Sequence, residues 1–384
     1  AMLRVTDAYG PIPYSKMQNG TFSVPYDSQR DVYMAMIDDL DAAMETLYTF
    51  ASAGDGILMR DFDISSFKGD SRLWVSFANT LKLRMAIRMS GVEPEARRIA
   101  EEAVRDMATY GLIDANAENL SFSSDSRQNP FYTQATSTSW QDLRSNASIV
   151  MYMNAYEDPR RASYFSKSGY DGIYVGVRAG IQNVTPTDYA TYSYPLFAEK
   201  DPVPVMYASE SWFLRAEGAL RGWAMGGDAR SFYEEGIRLS FERCGVADQL
   251  TAYMASTALP GSYDDPAFGY SCSNQSTVTI PWNDGAAFEE NLERIITQKW
   301  IANFPLGTEA WADYRRTGYP RLFPVVVNNN PDITNLQLGA RRMTYPLEEY
   351  EANGETIRAA VDQWLGGQDK MSTRLWWDCN PRIR

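Results

Sequence analysis

The side chains that carry acid–base, nucleophilic or metal chemistry are sparse in this sequence of 384 residues. Histidine is absent, which excludes His-dependent catalytic triads and His-ligated metal sites. Asp and Glu total 49, so a glycoside hydrolase that uses two carboxylates stays open. None of these acids lies in a recognisable catalytic motif. The chemistry-bearing residues therefore favour binding over catalysis.

The cysteines and one acidic loop are the remaining candidates for a metal or redox site. Cys244, Cys272 and Cys379 form no CxxC pair, which argues against zinc or a redox motif. A Cys244–Cys272 disulfide stays open, although two buried thiols fit the residue type better. Asp264, Asp265 and Asp284 are oxygen donors of the kind that calcium prefers, but their spacing matches no EF-hand loop. We therefore predict no cofactor, with a structural calcium as the alternative.

The composition limits the partners. Lys and Arg total 36 against 49 acidic residues, which gives a net charge of −13. An acidic surface repels phosphate backbones, so nucleic acid is excluded as a partner. The sequence holds no run of 18 apolar residues, so we predict no membrane-spanning helix.

Aromatic side chains in two irregular segments, 111–204 and 257–285, are the candidate ligand-binding residues. Flat rings match the apolar C–H faces of sugars, and each stacked ring contributes on the order of 1 kcal/mol. For any one ring the alternative is packing within its own loop, but we expect at least two to contact ligand. The candidates are Phe131, Tyr132, Trp140, Tyr170, Tyr174, Tyr189, Tyr192 and Trp282.

The elements that must position these loops are helices. In the segment 31–48, Met36, Leu40 and Met44 recur four residues apart, as on one helix face. Trp212, Trp300 and Trp311 lie at core spacing and are predicted to be buried. The same periodicity predicts helices over 31–48, 71–90, 94–110, 205–223, 229–243 and 286–304.

The helices divide the chain into three parts. We predict a helical scaffold in 1–110, a loop-rich ligand-binding subdomain in 111–204, and the second part of the scaffold in 205–384, which contains loop 257–285. The segment Ala1–Tyr9 has the character of the second half of a helix. We therefore expect the sequence to lack an amino-terminal part.

Five sequence blocks resemble one known family. They are LRVTDAYGPIPYS at 3–15, RLWVSFANTLKLRMAIRMS at 72–90, TQKWIANFPLGTEAWADYRRTGYP at 297–320, RRMTYPLEEYEAN at 341–353 and RLWWD at 374–378, with a shorter echo, DPR, at 158–160. In this order they are similar to the SusD-like (SusD/RagB) nutrient-binding outer-membrane lipoproteins of Bacteroidetes. The match extends over nearly the whole chain.

The resemblance implies a mainly α fold of tetratricopeptide-like helix pairs that carries a large irregular loop subdomain. It also implies a protein that is not an enzyme, binds an oligosaccharide or another nutrient at the cell surface, and covers a SusC-like TonB-dependent transporter. Attachment to the membrane is implied only through an amino-terminal lipid anchor that this sequence does not contain. The alternatives are a helical glycoside hydrolase and a peptide-binding tetratricopeptide adaptor.

The resemblance identifies no ligand-binding residue in this sequence. Its motifs are explained more simply by structural roles than by ligand binding. Arg315 and Arg316 offer an anion clamp, but acids two to seven residues away favour structural ion pairs. Asn353 reads as the N-cap of the helix that follows it. Trp376 and Trp377 are predicted to pack the carboxyl end against the scaffold.

Overall fold

The computed structural model of the protein describes residues 1–17, 23–135, 143–185 and 187–382. These residues form fourteen α-helices, two short 3₁₀-helices at Asn116–Glu118 and Ala247–Gln249, and two strands, so the predicted mainly α fold is confirmed. The strands are β1 (Leu120–Phe122) and β2 (Val203–Met206). The helices are α1 (Met2–Tyr9), α2 (Gln29–Ala53), α3 (Ser71–Arg88), α4 (Ala96–Arg105), α5 (Met107–Tyr110), α6 (Pro130–Ala135), α7 (Ala147–Ala155), α8 (Arg161–Tyr164), α9 (Ala208–Leu220), α10 (Ala229–Arg243), α11 (Leu250–Ala255), α12 (Phe288–Ala302), α13 (Gly307–Thr317) and α14 (Leu347–Trp364).

The helix boundaries follow local capping signals. The carboxylate of Asp70 accepts the backbone N–H groups of Arg72 and Leu73 and begins α3. Gly318 ends α13 with a left-handed backbone at φ 81°, a conformation that glycine adopts without strain. These caps fix where the scaffold helices start and stop.

Three predicted boundaries are wrong in detail. The segment 94–110 forms two helices, α4 and α5. They are separated at Asp106, where the backbone has φ −82° and ψ 0°. The segment 205–223 becomes helical only at Ala208, because Val203–Met206 pairs with β1 as a strand. Asn353 lies inside α14, at a break with φ −130°, and its side chain donates to the carboxylate of Glu349. The N-cap assigned to Asn353 is therefore wrong.

The α9–α10 pair shows why small residues recur where helices cross. A Cβ added to Gly236 of α10 would lie 2.9 Å from the ring of Phe213 on α9. The two helices therefore approach closely, because glycine leaves room for the aromatic ring. Helices α2 with α3, and α9 with α12, pack as further neighbours.

A network of buried charges joins the scaffold helices. Two guanidinium nitrogens of Arg84 on α3, Nε and Nη2, each donate at 2.8 Å to Glu210 on α9. Arg88, also on α3, donates to Asp7 on α1 and to Glu309 on α13. Each of these side chains is less than a tenth exposed, so their charges are compensated by one another and not by water.

The same network continues between α9, α12 and α13. Lys299 on α12 lies 2.9 Å from Asp313 on α13. Arg316 donates to Asp313 at 2.7 Å and to both carboxylate oxygens of Glu217 at 2.6 Å. The interpretation of Arg316 as a structural ion pair is confirmed.

Arg315 behaves differently from its neighbour. Its guanidinium lies 3.5 Å from the ring centroid of Trp311 and 4.7 Å from that of Trp377, and it donates to the carbonyls of Trp311 and Arg341. Burial lowers the pKa of Arg315 to about 9. Trp377 is buried and donates its indole N–H to Asp7, so the carboxyl end packs onto the scaffold as predicted.

The loop-rich segment leaves and rejoins the scaffold through a two-stranded sheet. Strand β1 pairs antiparallel with β2, and Leu120 lies opposite Met206. Helices α6, α7 and α8 lie between the two strands in sequence. A separate cluster, which includes the buried residues Ala147, Val175, Tyr192 and Tyr263, fills the interior of this segment. The boundaries 111–204 stay a prediction.

The buried network predicts a loss of stability in acid. Burial alone would raise the pKa of Glu309, but Arg84, Arg88 and Lys299 outweigh it and lower the pKa to about 2. The folded protein then binds fewer protons than the unfolded chain, so this contribution to stability is present above about pH 4.5 and is lost as the pH falls toward 2.

The pKa values of two further carboxyl groups are lowered in the same way, and the pKa of a third is raised. Burial would raise the pKa values of Glu217 and Asp313, but Arg316 and Arg221 hold the pKa of Glu217 below its ordinary value, and Lys299 and Arg316 do the same for Asp313. Burial keeps the pKa of Asp7 raised, which has the opposite effect on stability. We expect the melting temperature to drop steeply between about pH 4.5 and about pH 2 in calorimetric scans. A melting temperature that stays constant over this range would contradict the account of the network.

Candidate functional site

An open groove lies between the loop-rich segment and the scaffold, with a volume of about 500 Å³. We call it the apolar groove. It lies beside the carboxyl end of α12 and the first turns of α13. The described residues that line it are Phe131, Leu143, Arg144, Ser145, Asn146, Ser148, Ile149, Phe165, Ala179, Pro195, Phe197, Trp300, Asn303, Phe304, Pro305, Leu306, Gly307, Ala310, Trp311, Tyr314, Pro320, Leu322, Phe323 and Val325.

One wall of the apolar groove is a stack of three phenylalanine rings. Phe131 and Phe197 have ring centroids 5.0 Å apart, and Phe197 and Phe304 have centroids 6.1 Å apart with nearly parallel planes. All three rings are half-buried. Because Phe304 follows α12 directly, the end of that helix fixes the position of the stack.

The opposite wall comes mainly from helices. Trp300 on α12 packs edge-on against Tyr152, with centroids 5.6 Å apart. Trp311 and Tyr314 share a face of α13 at i and i+3, and both side chains donate to backbone carbonyls of the segment 337–340. These hydrogen bonds and the guanidinium of Arg315 on Trp311 hold the rings in fixed orientations.

Two buried polar side chains in the apolar groove lack a hydrogen-bond partner. Asn303 is 3% exposed and Ser145 is 4% exposed, and neither the Asn303 Oδ1 nor the Ser145 Oγ has a partner. Ser148 and Asn146, which also line the groove, already accept backbone N–H groups. Buried polar groups are normally paired, so Asn303 and Ser145 are suited to a ligand.

The described lining of the apolar groove contains few charged side chains. Arg144 is the charged side chain among the described lining residues, and no Asp or Glu is among them. A glycoside hydrolase needs two carboxylates that flank the scissile bond. The described lining therefore offers binding contacts and no glycosidase machinery.

Phe131 is the one predicted ligand residue that the structure places in the lining of the apolar groove. Tyr132 is its neighbour on α6 and is half-buried. Trp140 lies outside the described residues.

Most of the other predicted tyrosines pack within the loop segment. Tyr192 is 2% exposed, its hydroxyl donates to Asp265 at 2.5 Å, and Tyr170 packs edge-on against its ring. The ring of Tyr192 is therefore not accessible to a ligand in this conformation. The half-buried Tyr189 belongs to the same cluster, and Tyr174 packs on the main core with the guanidinium of Arg161 5.4 Å from its ring.

Trp282 lies on a different surface. It lines a separate cleft near Arg230 and Glu234, packs against Tyr233 and donates its indole N–H to Asp284. This cleft is near the amino end of α12, whereas the apolar groove is near its carboxyl end. The 15 residues of α12 span about 22 Å, so Trp282 and Phe131 do not form one arc.

Phe304, Trp311 and Tyr314 line the groove but were not among the predicted ligand-binding residues. Trp212, Trp300 and Trp311 were predicted to be buried, but each is half-buried. The signal on α13 is an inverted pattern, in which the charged residues Asp313, Arg315 and Arg316 are buried while the aromatic residues face the groove. Charged residues on the inner face of a helix move its aromatic side chains outward.

The acidic loop and the cysteines do not come together in the described residues. Asp265 accepts from Tyr192 and Asp284 accepts from Trp282, and no group of three or more Cys, Asp or Glu residues within the described ranges is arranged to hold a metal ion. Cys244 and Cys272 are unpaired and only half-buried, so the disulfide is not formed. The structural calcium stays a prediction.

Comparison with known proteins places the chain in one group. Residues 1–378 match the family model described as SusD-like, Susd and RagB outer membrane lipoprotein. No curated protein matches the chain. Among the described residues, every helix is too short or too polar to cross a membrane.

Three solved structures show the likeness. A chitin-binding SusD homologue from Flavobacterium johnsoniae is 40% identical with a TM-score of 0.94, and the match covers 100% of this chain and 79% of that chain. A SusD homologue from Bacteroides uniformis is 45% identical with a TM-score of 0.92, covering 99% and 79%. A SusD-like protein from Bacteroides thetaiotaomicron is 43% identical with a TM-score of 0.92, covering 99% and 79%.

Proposed function

We propose a function from one premise: the chain belongs to the SusD-like (SusD/RagB) family of outer membrane lipoproteins. This places the protein at the outer membrane. We infer that it captures a glycan at the cell surface and that the apolar groove is the binding site. A relative with 40% identity is a chitin-binding protein, which supports a glycan as the ligand.

The apolar groove is the observation that carries the choice of site. It combines stacked half-buried rings with two unpaired buried polar groups, which is the composition of a site that binds the C–H faces of a sugar and orients its polar substituents. A few stacked rings and hydrogen bonds give weak binding, in the micromolar-to-millimolar range, about −8 to −4 kcal/mol. Weak binding allows the ligand to be released to a transporter.

We propose that the receiving partner is a SusC-like TonB-dependent transporter and that the protein performs no catalytic step itself. The family supports the partner, and the described part of the lining, which has no Asp or Glu, supports the absence of hydrolysis at this site. Purification of the tagged protein from detergent-solubilised outer membranes tests the partner. Failure to recover a TonB-dependent barrel would contradict it.

The function is tested by calorimetric titration with a panel of soluble oligosaccharides. We expect at least one to bind in the micromolar-to-millimolar range, with no new reducing ends after prolonged incubation. Release of reducing ends would favour the hydrolase. Binding of peptides without any glycan would favour the tetratricopeptide adaptor.

The lining also predicts how binding responds to salt. A neutral glycan in a groove whose described lining has one charged side chain gains little from long-range electrostatics. We expect the Kd to change by less than about twofold between ionic strengths of about 0.05 M and about 0.5 M. A steep loss of affinity with salt would instead indicate a charged ligand.

A further inference from the structure

We propose that Asn303 and Ser145 form a subsite for the acetamido group of an N-acetylated sugar. The proposal rests on the proposed function, because it names the class of glycan that the apolar groove selects. It starts from the two buried polar side chains that no protein group satisfies.

Asn303 is held rigidly at the end of α12. Its backbone N–H donates to the carbonyl of Lys299 at 2.8 Å, and its carbonyl accepts the N–H of Leu306 at 2.7 Å. The Oδ1 is buried without a donor. Because a carboxamide contains both a donor and an acceptor, it serves an amide ligand whichever way the group is turned.

Ser145 is fixed with similar rigidity on the loop side of the groove. Its N–H donates to the carbonyl of Ser193 at 2.9 Å, and its own carbonyl accepts the N–H of Val177 at 2.8 Å. Its hydroxyl can donate or accept, and it has no partner. The groove therefore presents two preorganised polar groups among apolar walls.

An acetamido group matches this combination better than the alternatives do. It supplies an N–H donor, a carbonyl acceptor and a methyl group that suits the aromatic walls. The hydroxyl of an unsubstituted sugar lacks the apolar part. The ammonium of a de-acetylated sugar would lose hydration in a groove whose described lining has no acidic side chain.

The test compares three tetrasaccharides by calorimetry at one salt concentration: chitotetraose, its fully de-acetylated form and cellotetraose. We expect the wild-type Kd for chitotetraose to be at least about tenfold lower than that for either of the others. Asn303→Ala should reduce this preference to within about twofold, while the melting temperature stays equal or rises because the buried Oδ1 that it removes has no hydrogen-bond partner in the protein.

Two controls separate the possible outcomes. Ser145→Ala removes one oxygen and should reduce the same preference, so it carries the test if Asn303→Ala fails to fold. Trp282→Ala, in the separate cleft, should leave the preference unchanged. Equal affinity of the wild type for chitotetraose and cellotetraose, or an equal loss for both in Asn303→Ala, would overturn the subsite while the proposed function stands. If the wild type binds no glycan at all, the proposed function fails and the subsite fails with it.

Discussion

Replacing Asp158 with alanine is expected to lower the free energy of unfolding by about 3–5 kcal/mol, because it leaves a buried arginine without its counter-charge. Asp158 and Arg160 are both fully buried. The guanidinium of Arg160 donates to both carboxylate oxygens of Asp158, at 2.9 Å and 2.5 Å.

The position of this pair explains the size of the effect. Arg160 lies between α7 and α8 in the loop-rich segment, and it also donates to Ser240 on α10 and to Tyr253 on α11. A third contact reaches Gln298 on α12. The pair therefore joins the loop-rich segment to three scaffold helices.

Chemical denaturation of purified Asp158→Ala measures the effect. The matched control is Arg98→Gln, which removes a charge that pairs with Glu95 and Glu102 on the surface of α4. Exposed pairs contribute little, so the control should unfold nearly as the parent does. If both variants unfolded at the same denaturant concentration, the buried pair would not be the connection inferred from its contacts.

The helical scaffold was predictable because its signals are local. The N-cap at Asp70, the helix end at Gly318 and the small residue Gly236 each act on their immediate neighbours. The break at Asp106 and the strand Val203–Met206 were missed. The strand depends on pairing with a segment more than 80 residues away in sequence, which periodicity does not detect.

The candidate site was only partly predictable. Aromatic content drew attention to the loop segment, and one of its predicted rings, Phe131, lines the groove. Periodicity does not say which face of a helix meets the core, so Trp311 was predicted to be buried. Its position follows from buried charges on the other face, and those charges are stable there only because α3, α9 and α12 supply partners. Such long-range compensation is not visible in one sequence.

Introducing a tryptophan at Gly307 is expected to weaken glycan binding by about a hundredfold, equivalent to about 2.7 kcal/mol. Gly307 lines the apolar groove at the first position of α13. A Cβ added there would meet no atom within 4 Å, so the new side chain leaves the backbone without a clash, and we expect its indole ring to occupy space that the ligand needs. The fold should therefore stay intact while binding is lost.

Gly54 provides a matched control for this change. It ends α2, away from the groove, and a Cβ added to it also meets nothing within 4 Å. Gly54→Trp adds the same side chain to an exposed glycine and should not alter the affinity. The melting temperatures of both variants should stay close to that of the parent.

Calorimetric titration of the wild type, Gly307→Trp and Gly54→Trp with the oligosaccharide that binds best in the panel tests the central claim most directly. If the apolar groove is the glycan site, the wild type and Gly54→Trp will bind with the same Kd, and Gly307→Trp will bind about a hundredfold more weakly or not measurably. If Gly307→Trp is folded and binds with the affinity of the wild type, the glycan lies elsewhere, and the assignment of function to the apolar groove is contradicted.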